Sequence, residues 1–252
     1  MAKKSFIDGI GILTRENHLD VTLFLSCIGD EDYYTEVTLV RGEYILAFGA
    51  AGIRGGRSRY NLLPSPVKFW LPELPRLYNL EVRLLDNAGY EVSSKTVRIG
   101  FRDAVFCDEG FFLNGRMISP AVMDLRAKAT DPQEVKFLKK RWDVNLVLCR
   151  IDRNTDEFLT ECDRLGRLVA VLLPVGYGRV DISRAILRLG CHPSLCAWVA
   201  EEIGWGKKIA PQLAKEDPRR ALLHLDLKTG NTLILGGKGE KTHMAGGIEL
   251  VG

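Results

Sequence analysis

The sequence predicts two domains of different class: an all-β sandwich of immunoglobulin type over residues 1–100, then an α/β domain over 101–252 on a parallel sheet of about five strands. Three observations predict it. Before residue 100, runs such as HLDVTLFLSCIG, YTEVTLVRG, YNLEVRLLD and SSKTVRIGF are short, rich in β-branched residues and punctuated by Gly, Asp or Asn. After residue 100 the rhythm becomes strand, helix, strand, in units of about 25 to 30 residues. The length of 252 residues suits one large domain or two modest ones.

In the first half, LYNLEVRLLDNAGYEVSSKTVRI reads as a hairpin, with a strand at Leu77–Leu85, a turn at Asp86–Gly89 and a return strand to Ile99. The Gly-rich, basic run FGAAGIRGGRSRYN reads as a long loop or a bulged edge strand.

In the second half, Met117–Val122 reads as a strand. Thr130-Asp131-Pro132-Gln133 then opens a helix with a capping-box pattern, followed by Val135, Leu138 and Trp142 at helical spacing. Asn145–Cys149 is an apolar strand. Asn154 to Leu165 is a helix with Asn154 and Glu157 as its cap pair and Gly166 as its stop. Leu168–Leu173 is nearly all apolar, as a parallel strand buried on both faces requires. Asp181 caps a helix to Leu189, Leu195–Ala200 is a strand, Lys207–Lys215 a short helix and Ala221–Asp226 a fifth strand. Such repeats mean a parallel sheet, barrel or doubly wound. The tail TGNTLILGGKGEKTHMAGGIELVG reads as a loop with a β-hairpin over Thr232–Leu235 and Ile248–Val251.

Composition excludes several functions. Apolar residues make up 46% and charged residues 27%, ordinary for a globular chain. Thirty-five basic and thirty-two acidic residues leave a net charge of +3, without a basic patch interleaved with aromatics, so no nucleic acid is expected. No apolar stretch has the length of a membrane span. The N-terminus has no signal-peptide core, so the six scattered cysteines read as reduced thiols and the compartment as cytoplasmic. There is no C-x-x-C pair and no metal-ligand spacing of histidines. GGKGEKT fails as a phosphate loop because Glu240 stands where Gly must precede Lys-Thr. No metal and no cofactor is expected.

The order of motifs resembles glycoside hydrolase family 2, the β-galactosidase, β-glucuronidase and β-mannosidase group. The resemblance runs from about Phe69 to Asp226. FWLPELPRLYNLEVRLLD looks like the segment leading into the last hairpin of that family's immunoglobulin-like domain, and IGFRDAVFCDEGFFLNGRMI resembles its crossover into the barrel. FLTECDRLGRLVAV is similar to its second helix and third strand. LGCHPSLCAW and KEDPRRALLHLD resemble its fourth strand and the Asp-Pro-x-Arg turn before the fifth.

The resemblance implies the first part of a (β/α)8-type TIM barrel of about five strands after the sandwich, and carbohydrate as the ligand. It also implies two absences, an opening jelly-roll domain and the remaining barrel strands. Retaining hydrolysis needs two carboxyl groups about 5–5.5 Å apart. The family's acid/base is the Glu of an Asn-Glu pair after the fourth strand. Here an ungapped count from Trp198 places Ile203 there, whereas anchoring on Gly204-x-Gly206 places Glu202 there and Glu201 at the Asn. Glu202 is the catalytic candidate. Asp124, Asp152, Glu201, Trp205 and Asp226 are the candidates for substrate binding. Each Asp also fits a helix cap or loop acid, Glu201-Glu202 fits a solvated pair at a helix N-terminus, and Trp205 fits core packing. Leu148 and Ile151 stand at the family's Arg and His positions, and Arg150 and Arg153 flank Asp152 as an ion cluster or anion pocket. His192 reads as structural.

Without the nucleophile's strand and the Asn-Glu pair, the expectation is a degenerate family 2-like binding or assembly module without hydrolysis. The alternatives are an active small retaining β-glycosidase using Glu202, or one part of a split glycosidase. Five parallel strands are also expected to leave two open edges and a bare inner face; either the tail strands Thr232–Leu235 and Ile248–Val251 pair on one edge, or a second copy or a complementary barrel half covers them, and a homo-oligomer is the expectation.

Overall fold

The computed structural model describes residues 5–15, 18–26, 32–138, 140, 144–226, 231–236 and 249–250. Cys27, Trp142 and the segment GKGEKT lie outside the described residues. Contacts divide the chain into two compact units, Met1–Trp70 with Arg76–Phe101, and Leu71–Pro75 with Arg102–Gly252.

The first unit is all antiparallel. Its strands are β1 Phe6–Arg15, β2 His18–Ser26, β3 Tyr34–Arg41, β4 Tyr44–Gly52, β5 Arg57–Leu62, β6 Tyr78–Leu85 and β7 Glu91–Ile99. They form one sheet in the order β1-β2-β5 and another in the order β4-β3-β6-β7. Period-two alternation buries Leu19, Val21, Leu23 and Leu25 on β2, and Tyr78, Leu80, Val82 and Leu84 on β6. Tyr60 of β5 donates its hydroxyl to the Thr35 carbonyl of β3 at 2.7 Å, tying the two buried faces together. The hairpin over 77–99 has the expected form, with Tyr78 opposite Ile99. FGAAGIRGGRSRYN is no long loop. Edge strand β4 turns tightly into β5 through Arg54–Arg57, with φ of 56° at Gly55 and 69° at Gly56, which favours glycine at both central positions.

The second unit opens with a small antiparallel meander, β8 Ala104–Cys107, β9 Gly110–Leu113 and β10 Arg116–Ile118. Then follow β11 Ala121–Asp124, α1 Glu134–Leu138, β12 Leu146–Arg150, α2 Thr155–Leu165, β13 Leu168–Leu173, α3 Arg179–Leu189, β14 Leu195–Ala200, α4 Ile203–Glu216, β15 Ala221–Asp226, β16 Asn231–Gly236 and β17 Glu249–Leu250. One seven-stranded sheet takes the order β16-β15-β14-β13-β12-β11-β17. Within it β11 to β15 are parallel.

Val147, Cys149, Val169, Val171, Trp198 and Leu222 pack in one cluster with Phe158, Leu159, Ile182, Ile209 and Leu213 of the helices. On the same strands Leu148, Ala170, Leu172, Ala197 and Leu223 are also fully buried, so the sheet is covered on both faces.

Several expectations need correction. Met117–Val122 is not one strand: Ser119-Pro120 separates β10 from β11, because Pro120 has no N–H for a ladder. Thr130 does not cap α1. Asp152 holds its N–H and hydroxyl, and the Asp131 carboxylate accepts the Gln133 N–H at 2.9 Å instead. Asn154 makes no side-chain cap, and Gly166 ends α2 with φ 74°. Helix α4 begins at Ile203 rather than Lys207. Gly206 lies where a Cβ would meet Ala200 Cβ and Leu235 Cδ1, so its smallness lets α4 approach the sheet. The tail strands pair on opposite edges, β16 with β15 and β17 with β11, not together on one. In the single chain the outer parallel strands β11 and β15 are thus paired with β17 and β16.

Candidate functional site

Residues following parallel strands at their carboxyl ends are where this class of sheet places its chemistry. Asp124 ends β11 and turns the chain so that Arg126 folds back on it. Arg126 Nε lies 2.9 Å from Oδ1 and Nη2 2.9 Å from Oδ2, and the Arg126 N–H donates to Oδ1 at 3.0 Å. Partial burial pushes the Asp124 carboxyl up, but the Arg126 fork outweighs it and holds the group below the ordinary carboxylate range. Arg126 is in turn raised by Asp124, with a smaller contribution from Glu201. Arg150 ends β12 and reaches across β13 to Glu201 after β14, with Nη2 3.6 Å from Oε1. Asp124, Arg126, Glu201 and Arg150 therefore form a cluster of alternating charge over three strand ends.

Glu202 sits beside Glu201 as the N-cap of α4, exposed, with no side-chain cap hydrogen bond. Its carbonyl accepts the Gly206 N–H at 2.9 Å. Trp205 is half-buried and packs against the core cluster between the sheet and the helices. Asp226 ends β15 opposite Asn231 of β16, half-buried.

Asp152 has a different task. Its carboxylate accepts from Thr130 N (2.8 Å), Thr130 Oγ1 (2.6 Å), Asn154 N (2.8 Å) and Thr155 Oγ1 (3.0 Å), joining the loop after β11 to the start of α2. Burial acts to raise it, and these donors hold it below the ordinary range. Arg150, a flanking neighbour of Asp152 in the sequence, pairs with Glu201 instead, and the sequence signal for Arg126 is an Asp-x-Arg pair at a strand end.

His192 is buried between two carboxylates, with Nδ1 2.6 Å from Asp163 Oδ2 and Nε2 3.3 Å from Asp156 Oδ1. Nearby, Arg102 of the Gly-Phe-Arg motif donates to the Pro193 and Leu195 carbonyls. Arg220 of Asp-Pro-x-Arg bonds Asp217 at 2.9 Å and the His192 carbonyl at 2.9 Å, while Trp198 Nε1 donates to Asp217 at 2.8 Å. Three motifs that carry the family resemblance thus converge at the amino end of β14, opposite the carboxylate cluster. Among the described residues, no group of three His, Cys, Asp or Glu is placed to hold a metal.

The fold is an antiparallel β unit and an α/β unit built on parallel strands. Residues 47–102 match the family described as Glycosyl hydrolases family 2. The β-galactosidase of Thermoanaerobacterium thermosulfurigenes is 28% identical over 153 residues, covering 52% of this chain and 21% of that protein. The β-galactosidase of Aeromonas hydrophila is 27% identical over 175 residues, covering 54% and 16%. Among solved structures, a glycosyl hydrolase family 2 member from Bacteroides cellulosilyticus superposes with TM-score 0.71 at 18% identity, over 87% of this chain and 35% of that one. β-Glucuronidase 3 of Bacteroides uniformis gives 0.71 at 18%, over 89% and 33%. The chain resembles family 2 glycosidases and spans about a fifth of these curated relatives and a third of these solved ones.

Proposed function

We propose that this chain is a family 2-like carbohydrate-binding unit, an immunoglobulin-like sandwich joined to the first five strands of a (β/α)8 barrel, that engages a sugar at its strand ends without hydrolysing it alone. One observation carries the reading. The strand-end acids Asp124 and Glu201 are ion-paired to Arg126 and Arg150, and Asp124 is held ionised. Retaining hydrolysis needs one carboxyl that delivers a proton as well as one that attacks. A paired carboxylate and a guanidinium instead offer acceptors and donors to sugar hydroxyls.

The relatives' names point to β-galactosides and β-glucuronides as the first ligands to try. Calorimetric titration with galactose and glucuronate tests this. Arg150→Gln and Glu201→Gln are expected to weaken binding by about tenfold each, since each leaves a charged partner unmatched. Binding unchanged in both variants, or no binding to the wild type, contradicts the site.

A second reading rests on Glu202. It is exposed at the start of α4, immediately after β14, where an acid/base would stand. In that reading the chain is a small retaining β-glycosidase whose turnover depends on Glu202.

A further inference from the structure

Arg184 and Arg188 stand one turn apart on α3, and Arg153 follows β12 at the start of α2. The three line one groove of about 480 Å³ together with Tyr177, Asp152 and Asp181. No member of the Asp124–Arg126–Arg150–Glu201 cluster lines it among the described residues.

The groove's own acids are already committed. Asp152 is saturated by Thr130, Asn154 and Thr155. Asp181 Oδ2 accepts the Gly178 N–H at 3.1 Å. Arg188 is committed too, donating to the Arg153 carbonyl at 2.8 Å and lying 3.7 Å from Asp156. Arg153 and Arg184 are exposed, and neither has an acid within ion-pair distance among the described residues. Two guanidinium forks without an acid partner among the described residues therefore share a concave surface with two carboxylates that already accept N–H or O–H donors. Tyr177, half-buried against the core, adds a ring face and a hydroxyl to the wall.

A guanidinium pairs two N–H donors with two oxygens of a tetrahedral anion, a match that an ammonium does not make. We propose that this groove binds a phosphoryl group, carried on a small metabolite or free, through Arg153 and Arg184, with Tyr177 against the body of an ester. The proposal stands apart from the carbohydrate reading and uses none of its residues.

Titration calorimetry on the full chain with inorganic phosphate and with glucose 6-phosphate tests it, at low and at raised ionic strength. Both are expected to bind, and added salt is expected to weaken both. Tighter binding of glucose 6-phosphate assigns the ester, and equal affinity assigns free phosphate. The double variant Arg153→Gln/Arg184→Gln is expected to bind about tenfold more weakly or worse. Both side chains are exposed, and circular dichroism checks that the variant is folded. Arg164→Gln, which removes a guanidinium paired with Glu161 elsewhere on α2, is expected to bind like wild type. No binding of either ligand at about 10 mM, or equal binding by the double variant, overturns the proposal.

Discussion

At the scale of single residues, burial decides what each charged group does. His192 is clamped by Asp163 and Asp156 of α2, with Cys191 beside it and Arg188 of α3 behind Asp156. Burial alone pushes an imidazole down, but Asp163, Cys191 and Asp156 outweigh it and hold His192 well above its ordinary value. A raised folded value means the stabilisation is complete below the unfolded value of about 6.5 and is lost as pH rises through the folded one. Urea unfolding is expected to show stability falling as pH rises above about 6.5. His192→Gln is expected to start lower at pH 6 and to lack that fall. Parallel profiles contradict the assignment. The buried thiols add a fall of their own only at higher pH. Cys149 is pushed up to about 12 and Cys196 to about 11, so they cost stability only once unfolded thiols ionise, above about 8.5. Asp124 and Asp152 show the same rule with opposite outcomes. Both are held ionised, yet Arg126 leaves Asp124 at a strand end, whereas backbone and hydroxyl donors lock Asp152 into a loop.

At the scale of elements, the strongest signals in the sequence were runs with a single environment. LVAVLL and LCAWVA are buried along their whole length and form β13 and β14 at the expected residues. Elements defined by one exceptional residue were harder to see. Pro120 divides an apolar run that periodicity joins, and Gly206, ahead of the expected helix at Lys207–Lys215, lies inside α4 where it packs closely on the sheet. The site was legible only in part, since Asp124 finds Arg126 two residues on, whereas the partner of Glu201 comes from a distant strand. The Arg150–Glu201 pair bridges strands that are not neighbours, and no local pattern encodes that. The family-like motifs at the amino end of β14 have a structural role. Arg220 and Asp217 are both buried, so Arg220→Met strands a buried carboxylate with Trp198 as its remaining partner. It is expected to cost about 3–5 kcal/mol by urea denaturation. A loss under about 1 kcal/mol contradicts the view that this knot holds β14 and β15.

At the scale of the whole molecule, the chain pairs its own sheet edges through β16 and β17. Leu148, Ala170, Leu172, Ala197 and Leu223 are buried on the parallel strands within one chain. What the fold places at the carboxyl ends is a paired charge cluster and one exposed acid, Glu202. We propose that such a cluster binds sugar and does not cleave it. Hydrolysis of fluorogenic β-galactoside, β-glucuronide, β-mannoside and β-glucoside, measured beside Glu202→Gln, tests that claim most directly. The account predicts no turnover above buffer from the wild-type chain on any of the four. Turnover that disappears in Glu202→Gln contradicts it and establishes Glu202 as a working acid/base.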